Sequence, residues 1–515
     1  MDQRAVEYGK QADEINSRID LPWADARDSN DGEDGSKNRN LAEQLIKIFD
    51  AKCPSSMADI SCRAQVLDML TAWLSLPAEV KVQMKSLLNN LYNPANDSFS
   101  LSPFKPLNGY TSKAEPVPRA PENVFVFRNS LTGRPFGWRN LFQHSIEYDV
   151  ELCPEGVLSP KNSALANRLM PEGSHRRRFL VVDDAVNKIY GQKIENYFKH
   201  HKVEFRQIVL KGEECNKRME AVDSILEELC SFKLLRREPI IAIGGGVILD
   251  IVGLAANLYR RGVPYMRVPT TLLAIVDASV GVKNGVDYCS CSCGPQKNRV
   301  GSFYAPSAAF LDKTFIATQD KRNLVNGLGE IMKLALVRSA ELFCLLESFG
   351  PKLIKEKFQG KEPYADRVIE LSVQIMLEEL GPNLWEQNLE RCVDYGHTFS
   401  KIFEMVPGAD LMHGEAVNID GFFCVLLSKR RKMISAVLCN RIFEAMNRLG
   451  LPTFHSSVTV ENLEQGLNDA VQHRNGAQRI PLINGIGSSV CVNDISREEI
   501  DAVCYEIHAM HSQRR

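Results

Sequence analysis

Three side chains of the kinds that bind divalent metals stand in three short motifs of the C-terminal half. Glu330 lies in NGLGEIMKLALV, His397 in VDYGHTFSK and His413 in LMHGEAVN. One carboxylate and two neutral imidazoles would hold a zinc-like ion and leave a coordination position open for a substrate hydroxyl or carbonyl. Lys333 follows Glu330 by about one helical turn and shares its helix face. Taken singly, each histidine is more typical of a helix end or a hydrogen-bonded core, and Lys333 of an exposed ion pair.

A second motif suits a phosphate-bearing ligand. The segment PIIAIGGGVILDIVGLAANL predicts a buried strand, the glycines Gly244, Gly245 and Gly246, and then an apolar helix. Glycines let the backbone approach a pyrophosphate, and the helix start offers unpaired N–H groups and a positive dipole end. The pattern favours a dinucleotide. Its spacing differs from the G-x-G-x-x-G fingerprint, however, and a tight turn would also explain the glycines.

Short apolar runs alternate with amphipathic helical patterns between about residues 122 and 315. Examples of the runs are FLVVDD, EFRQIVL and PIIAIGGG. This alternation predicts a Rossmann-like parallel α/β domain. After about residue 316 long helical patterns take over, such as 365–380 and 414–433, so the following domain is expected to be mainly α-helical.

The expected organisation has three parts. Residues 1–118 form an N-terminal extension, partly disordered and partly helical, with helical stretches at about 41–49 and 64–91. Residues 119–315 form the α/β domain that binds the dinucleotide, and residues 316–515 form the helical domain that holds metal and substrate.

The composition argues against several classes of partner. The 515 residues include 62 Lys and Arg against 64 Asp and Glu, so no net charge attracts nucleic acid or an anionic membrane, and small molecules are expected instead. Neither a signal-like apolar segment nor a run of 18 apolar residues occurs, which predicts a cytoplasmic protein whose 14 cysteines are reduced. Cys289, Cys291 and Cys293 lack the spacing of a zinc site and are predicted to lie in a loop.

The motifs and their order resemble the dehydroquinate synthase-like sugar phosphate cyclases. The resemblance spans about residues 120 to 505. It is carried by GGGVILDIVGLAANLYRRGVPYMRVPTTLLAIVDASVGVKNGVD, KNRVGSFYAPSAAFLD, NGLGEIMK, DYGHTFSKIFEM and HGEAVNID. Members of this family close a phosphorylated sugar into a carbocycle and release phosphate. The resemblance implies NAD as cofactor, a divalent metal that is zinc or alternatively cobalt, and a homodimer.

The resemblance also implies roles for individual positions. The metal ligands are Glu330, His397 and His413. The NAD-binding positions are Asp183, Glu214, Lys217, Gly244, Gly245, Gly246, Asp250, Thr270, Thr271, Asp277, Lys297 and Asn298. The catalytic positions around the reacting sugar and its phosphate are Lys283, Lys333, Asp277, Asn298 and Arg261.

In this family NAD is regenerated within each turnover. A substrate hydroxyl is oxidised to a ketone, which acidifies the neighbouring carbon-bound proton; phosphate is eliminated and the ketone is reduced again. Ring opening and an intramolecular aldol step then close the carbocycle. The motifs suit this chemistry, because metal ligands support oxyanion stabilisation, cationic side chains suit a phosphate, and hydride transfer belongs to the cofactor.

Positions near the substrate differ from those of dehydroquinate synthases. Leu380 and Glu390 stand where those enzymes resemble each other in having Lys and Arg, and neither an apolar nor an acidic residue binds a substrate carboxylate. Asp394 replaces an Asn, Lys401 replaces a His, and His473 lies near a C-terminal Lys position. Asp and His suit a hydroxyl-rich substrate end.

The set Leu380, Asp394 and His473 is similar to that of the 2-epi-5-epi-valiolone synthases. Desmethyl-4-deoxygadusol synthases resemble one another in having Glu, Ala and Thr at these places. The resemblance therefore implies conversion of sedoheptulose 7-phosphate to 2-epi-5-epi-valiolone. A gadusol-type synthase using the same sugar and then a 3-dehydroquinate synthase are the alternatives.

Two hypotheses from other classes stay open. A metal-dependent NAD polyol dehydrogenase would share the fold but would release NADH and would not need the cations at 261, 283, 297 and 333. An inactive binding relative would be free to lose its metal ligands, which are intact here. Asn284 and Asp287, in VKNGVD where relatives often resemble KTGVN, and the CSCSC segment favour this second hypothesis.

Overall fold

The computed structural model describes residues 112–116, 124–129, 134–140, 145–170, 176–290 and 294–512. The chain divides into two compact units, Met1–Ser145 and Ile146–Arg515. The helical stretches predicted at 41–49 and 64–91 lie outside the described residues, as do Cys291 and Cys293.

The described part of the first unit is a three-stranded antiparallel sheet. Strands β1 (Ser112–Pro116), β2 (Val124–Asn129) and β3 (Pro135–Asn140) follow one another in this order across the sheet. The sequence VFVFRN of β2 has the aromatic and β-branched residues typical of strands, whereas SKAEP of β1 does not and is held by its pairing with β2. Strand β1 was not predicted, and the expected limit of the extension at residue 118 falls between these two paired strands.

The second unit begins with a six-stranded parallel sheet. Its strands are β4 (Asp149–Leu152), β5 (Arg177–Asp183), β6 (Glu204–Leu210), β7 (Ile240–Gly244), β8 (Tyr265–Pro269) and β11 (Ala308–Leu311). They lie in the order β4-β11-β8-β7-β5-β6, and every pairing is parallel. The central strands β7 and β8 are buried along their whole length, and β7 accordingly reads as a continuous apolar run, whereas β8 contains the buried Arg267.

Helices connect these strands and cover the sheet. They are α1 (Ala164–Asn167), α2 (Asp184–His200), α3 (Met219–Phe232) and α4 (Gly246–Leu258). Helix α4 carries little charge and packs in one apolar core with the sheet and α3. Between β8 and β11 the antiparallel strands β9 (Lys283–Ser290) and β10 (Gly294–Phe303) form a hairpin. Cys289 lies in β9, so the prediction that it belongs to a loop was wrong. The parallel strands and their connecting helices confirm the predicted α/β fold.

The remainder of this unit is mainly helical, as predicted. Its helices are α5 (Lys321–Arg338), α6 (Ala340–Lys355), α7 (Tyr364–Leu380), α8 (Ser400–Met405), α9 (His413–Arg430), α10 (Ala436–Leu449), α11 (Val460–His473) and α12 (Arg497–Ser512). A two-stranded hairpin of β12 (Ile480–Gly485) and β13 (Ser488–Val492) precedes α12 and was not predicted. Helices α5 and α9 are buried over most of their length at the centre of this part. None of the described helices is long and apolar enough to cross a membrane.

Candidate active site

Glu330, His397 and His413 meet although they come from three separate segments. Nε2 of His397 lies 3.5 Å and Nε2 of His413 lies 3.3 Å from Oε1 of Glu330. One ligand atom from each residue lies within 4.8 Å of the other two. Glu330 belongs to the middle of α5, His413 is the first residue of α9, and His397 lies in the loop before α8.

Two glycines let α5 and the start of α9 approach closely. A Cβ at Gly329 would lie 2.2 Å from the carbonyl oxygen of Gly414, and a Cβ at Gly414 would lie 1.9 Å from that of Asn326. Because any side chain at these positions would push the helices apart, the glycines beside Glu330 and His413 set the distance between the two candidate ligands.

The other ring nitrogen of each histidine has an acceptor. Nδ1 of His397 lies 3.1 Å from the carbonyl oxygen of Tyr395, and Nδ1 of His413 lies 3.1 Å from Oε1 of Glu404. Carbonyl and carboxylate oxygens only accept hydrogen bonds, so each Nδ1 carries the hydrogen and, in a neutral ring, Nε2 presents its lone pair to Glu330. This is the arrangement of histidines that ligate metals.

Charge at this cluster also suits a cation. Burial works to raise the pKa of Glu330, but the neighbouring Lys333 ammonium, which forms an ion pair with Oε2, and the two imidazoles hold it well below its usual value. Burial lowers the pKa of His397 to about 3, so that its ring is neutral. For His413 burial is outweighed by Glu404 and Glu330, which raise the pKa to about 9. The carboxylates that attract a proton to His413 would equally attract a divalent cation, and these three residues fit one.

Asp277 and Lys333 border the metal cluster. Asp277 lies in a π-helical turn, Ala274–Ala278, and both burial and the charge of Glu330 raise its pKa. The ammonium groups of Lys333 and Lys283 act on it in the opposite direction. The structure thus brings both predicted catalytic residues to the ligands.

The predicted cofactor-binding residues at the strand ends gather at one edge of the sheet. Gly244 ends β7, Gly245 precedes α4 and Gly246 begins it. A Cβ at Gly244 would lie 2.7 Å from Cβ of Ile248, so the turn itself requires glycine there. At Gly245 and Gly246 the nearest atoms to a Cβ would be 3.4 Å away, so packing alone does not require glycine at these two positions. The helix start and bare backbone fit an approaching phosphate.

Neighbouring strand ends complete this edge. Asp183 ends β5 and accepts hydrogen bonds from the N–H groups of the first turn of α2. Thr270 donates its N–H to the carbonyl oxygen of Gly244 (3.0 Å), and Oγ1 of Thr271 accepts from the N–H of Ala274 (3.1 Å). Ligands of open α/β sheets bind at this carboxyl edge.

A network of polar contacts joins the hairpin to this edge. Nζ of Lys217 lies 2.6 Å from Oδ2 of Asp250 and 2.6 Å from Oδ1 of Asn298. Asn298 has a left-handed φ of 51° and donates its N–H to Oδ1 of Asp287 (2.8 Å). Nζ of Lys297 lies 3.2 Å from Oε1 of Glu214.

Asn284 and Asp287, the two substitutions that favoured the hypothesis of an inactive relative, both accept hydrogen bonds in the structure. Asp287 accepts the hydrogen bond that holds Asn298. Oδ1 of Asn284 accepts from the guanidinium of buried Arg267 (2.8 Å) and from the hydroxyl of Tyr265 (3.1 Å). Arg267 also donates to the carbonyl oxygen of Lys283 (3.2 Å), so this buried cluster fixes the strand that carries Lys283.

A second charged cluster surrounds Asp394. Its carboxylate lies 3.6 Å from Arg391 and 3.8 Å from Arg474, and its carbonyl oxygen accepts from the N–H of His397 (3.0 Å). Burial would raise the pKa of Asp394, but Arg391 and Arg474 hold it below its usual value, so that the side chain is an ionised acceptor. Nζ of Lys283 is paired with Oε1 of Glu386 at 2.8 Å.

Of the remaining predicted specificity residues, His473 lies beside this second cluster, and Leu380 lies near the start of the strand that carries Lys283. His473 ends α11 next to Arg474, and burial together with the charges of Lys401 and Arg474 lowers its pKa. Leu380 is the buried last residue of α7, and its Cδ1 would lie 3.4 Å from a Cβ at Gly281, two residues before Lys283. Glu390 is exposed.

Arg261 is placed differently from the other predicted site residues. It follows the C-terminal end of α4, whereas Gly245 and Gly246 lie at the N-terminal end of that helix, and its side chain is exposed. Among the contacts of the described residues, none joins Arg261 to the metal cluster.

Sequence reasoning missed Glu404, Glu386, Arg391 and Arg474. Only Glu404 left a clear signal, as an acidic residue in the otherwise apolar IFEM end of the motif that contains His397. The other three are recognised only by the contacts they make with Lys283 and Asp394.

The fold and site define a two-part enzyme, with a glycine turn on a parallel sheet and a Glu–His–His centre among helices. Residues 207–326 match the 3-dehydroquinate synthase N-terminal family and residues 327–470 match the 3-dehydroquinate synthase C-terminal family. The chain belongs to this family, the dehydroquinate synthase-like sugar phosphate cyclases.

Among individual proteins, the chain is similar to cyclases that form two different products. A 2-epi-5-epi-valiolone synthase from Actinomyces is 44% identical over 369 residues, which are 70% of this chain and 95% of the relative. A demethyl-4-deoxygadusol synthase from Trichormus variabilis is 35% identical over 363 residues, 69% of this chain and 86% of the relative. The solved 2-epi-5-epi-valiolone synthase of Streptomyces hygroscopicus, with NAD+ and Zn2+ bound, has a TM-score of 0.68 and 41% identity, covering 72% of this chain and all of that one.

Proposed function

We propose that the protein converts sedoheptulose 7-phosphate to 2-epi-5-epi-valiolone with release of phosphate, using NAD and a divalent metal, zinc or alternatively cobalt. The observation that carries this proposal is the position of ionised Asp394, three residues before the ligand His397, whose N–H it accepts through its backbone carbonyl, and near Lys283. An ionised carboxylate accepts hydrogen bonds from sugar hydroxyls but offers no donor to a substrate carboxylate. A relative 41% identical to this chain holds both NAD+ and Zn2+, which supports the cofactors.

The residues present suggest a division of labour. When bound, the cation would polarise a substrate oxygen and the dinucleotide would accept and return a hydride. Glu330, His397 and His413 would hold the cation, and the glycine turn at Gly244 to Gly246 would hold the pyrophosphate. Lys283, on a hairpin strand and 59% exposed, is a cation available to the phosphate of the substrate, and Lys333 holds Glu330 ionised.

The test is to incubate the purified protein with sedoheptulose 7-phosphate, catalytic NAD and zinc or cobalt, and to follow phosphate, NADH and product mass. We expect phosphate release without net NADH, a product of valiolone mass, and loss of activity after dialysis against a chelator. Full turnover after metal stripping would contradict the metal assignment. Net NADH production with polyols would instead identify a dehydrogenase.

The second candidate is a demethyl-4-deoxygadusol synthase, because a relative of that name is 35% identical to the chain. It would use the same sugar but yield a lighter, further dehydrated product. Leu380, Asp394 and His473 favour the valiolone product. A carboxylate-bearing seven-carbon sugar phosphate, used as competing substrate, tests the 3-dehydroquinate synthase alternative, and we expect it not to be turned over.

The assembly and location are also proposals. We propose a homodimer, which light scattering of the purified chain would test. The ten cysteines that the structure describes are all free thiols, which supports a reducing compartment such as the cytoplasm.

A further inference from the structure

The carboxylate of Glu404 contacts one imidazole and one ammonium group, which belong to different parts of the fold. Its Oε1 accepts from Nδ1 of His413 at 3.1 Å, and its Oε2 forms an ion pair with Nζ of Lys297. The Glu404 side chain is only 6% exposed. It lies in α8, His413 begins α9, and Lys297 lies in hairpin strand β10. One carboxylate therefore joins the candidate metal centre to the hairpin.

The hairpin side of this link continues to the cofactor edge. Lys297 also contacts Oε1 of Glu214 at 3.2 Å and is 14% exposed. Burial disfavours its charge, but Glu404 and Glu214 outweigh burial and raise its pKa. Lys297 is thus held as a cation between two carboxylates, one on each side.

The contacts of the Glu404 carboxylate orient the His413 ring. The Glu404 carboxylate lies between the imidazole of His413 and the ammonium group of Lys297, and each of its oxygens contacts one of them. An ionised carboxylate on Nδ1 fixes the ring orientation and makes Nε2 a better donor to a metal. If Lys297 moves toward a dinucleotide bound on the Glu214 side, Glu404 loses part of the positive charge that balances it, and its interaction with His413 changes.

We propose that Glu404 is a positioning residue for the metal ligand His413, and that Lys297 couples metal binding to dinucleotide binding through it. This inference rests on the proposed cofactors but not on the identity of the product. Coupling between two binding sites is reciprocal, so metal must change NAD affinity by the same factor by which NAD changes metal affinity.

The experiment measures both equilibria on the full chain without substrate. Co2+ affinity is determined by competition with a chromophoric chelator with and without saturating NAD, and NAD affinity is determined by calorimetry with and without Co2+. For the unchanged protein we expect a shared coupling factor of roughly 5-fold or more. For Glu404→Met we expect Co2+ affinity to fall by roughly 10- to 100-fold.

Lys297→Met separates coupling from simple loss of a contact. This variant is expected to lower NAD affinity, but the decisive quantity is the ratio of NAD affinities with and without metal, which should approach one. An unchanged ratio in this variant, or Co2+ affinity within about threefold of the unchanged protein in folded Glu404→Met, would overturn the inference.

Two further variants keep the test interpretable. Glu404→Gln retains an acceptor for Nδ1 but removes the charge, so it should lose less metal affinity than Glu404→Met and replaces it if that variant does not fold. Glu347→Gln is the control, because Glu347 pairs with Arg441 on a distant helix face and should leave both affinities unchanged. If the unchanged protein turns over sedoheptulose 7-phosphate but shows a coupling factor of one, this inference is contradicted and the proposed function is not. Failure of the unchanged protein to bind Co2+ and NAD would sink the proposed function as well.

Discussion

Gly329 and Gly414 lie so close that a Cβ on the first would be 2.2 Å from the carbonyl oxygen of the second. Each glycine is the sequence neighbour of a candidate metal ligand, Glu330 or His413. The contact between the two backbones therefore determines how far apart those ligands stand.

Replacing Gly329 with Ala should loosen the metal site. Alanine favours an isolated helix, but here overpacking against Gly414 is expected to cost about 1–3 kcal/mol of the free energy of unfolding and to weaken Co2+ binding. Denaturant unfolding and chelator competition measure the two effects. The control is Gly381→Ala, since no atom lies within 4 Å of the added Cβ. Equal Co2+ affinity in Gly329→Ala and the control would contradict this account.

Asp420 should hold the loop that carries His397. Its Oδ2 accepts from the N–H groups of Phe399 (2.6 Å) and Ser400 (3.0 Å), while Asp420 itself belongs to the helix that begins at His413. Asp420→Ala leaves two buried donors unpaired, so we expect a loss of about 1–3 kcal/mol per unpaired donor and weaker metal binding. Asp420→Asn keeps an acceptor and should lose less. If the Asn and Ala variants unfold at the same denaturant concentration, the acceptor is not what matters.

The glycine turn offers a pair of adjacent substitutions with different outcomes. At Gly244 an added Cβ would lie 2.7 Å from Cβ of Ile248, so Gly244→Ala should lower the midpoint of thermal unfolding. At Gly245 the nearest atom would be 3.4 Å away, so Gly245→Ala should unfold near the normal temperature but bind NAD more weakly. Calorimetric NAD titration and thermal melts distinguish the two. Normal NAD affinity in Gly245→Ala would remove the phosphate role of this residue.

The surroundings of Asp394 should determine the product rather than cofactor binding. The double variant Asp394→Ala, His473→Thr removes an ionised acceptor and an imidazole, so we expect a slower reaction and an altered product distribution, with NAD affinity within about twofold of normal. Mass spectrometry of the product is the measurement. An unchanged product would mean that these are not the specificity residues.

Much of the fold followed from local pattern. Continuous apolar runs such as IIAIG predicted buried parallel strands, and the helical periodicity after residue 316 predicted the second, mainly helical part. The β12–β13 hairpin and strand β1 were not predicted, because short strands of mixed composition are stabilised by pairing with neighbouring strands rather than by the propensity of their own residues.

The residues of the candidate metal centre, Lys333 and the glycine turn were singled out by residue type and motif, whereas Asp277 was implied only by the resemblance to the sugar phosphate cyclases. The sequence by itself determined which chemical groups are present, because carboxylate, imidazole and ammonium side chains carry their chemistry with them. Only the tertiary structure decided that Glu404 joins His413 to Lys297, and that Arg391 and Arg474 flank Asp394. Lys297 and Glu404 are 107 residues apart in the sequence, and no local periodicity records a contact made by packing one segment against another.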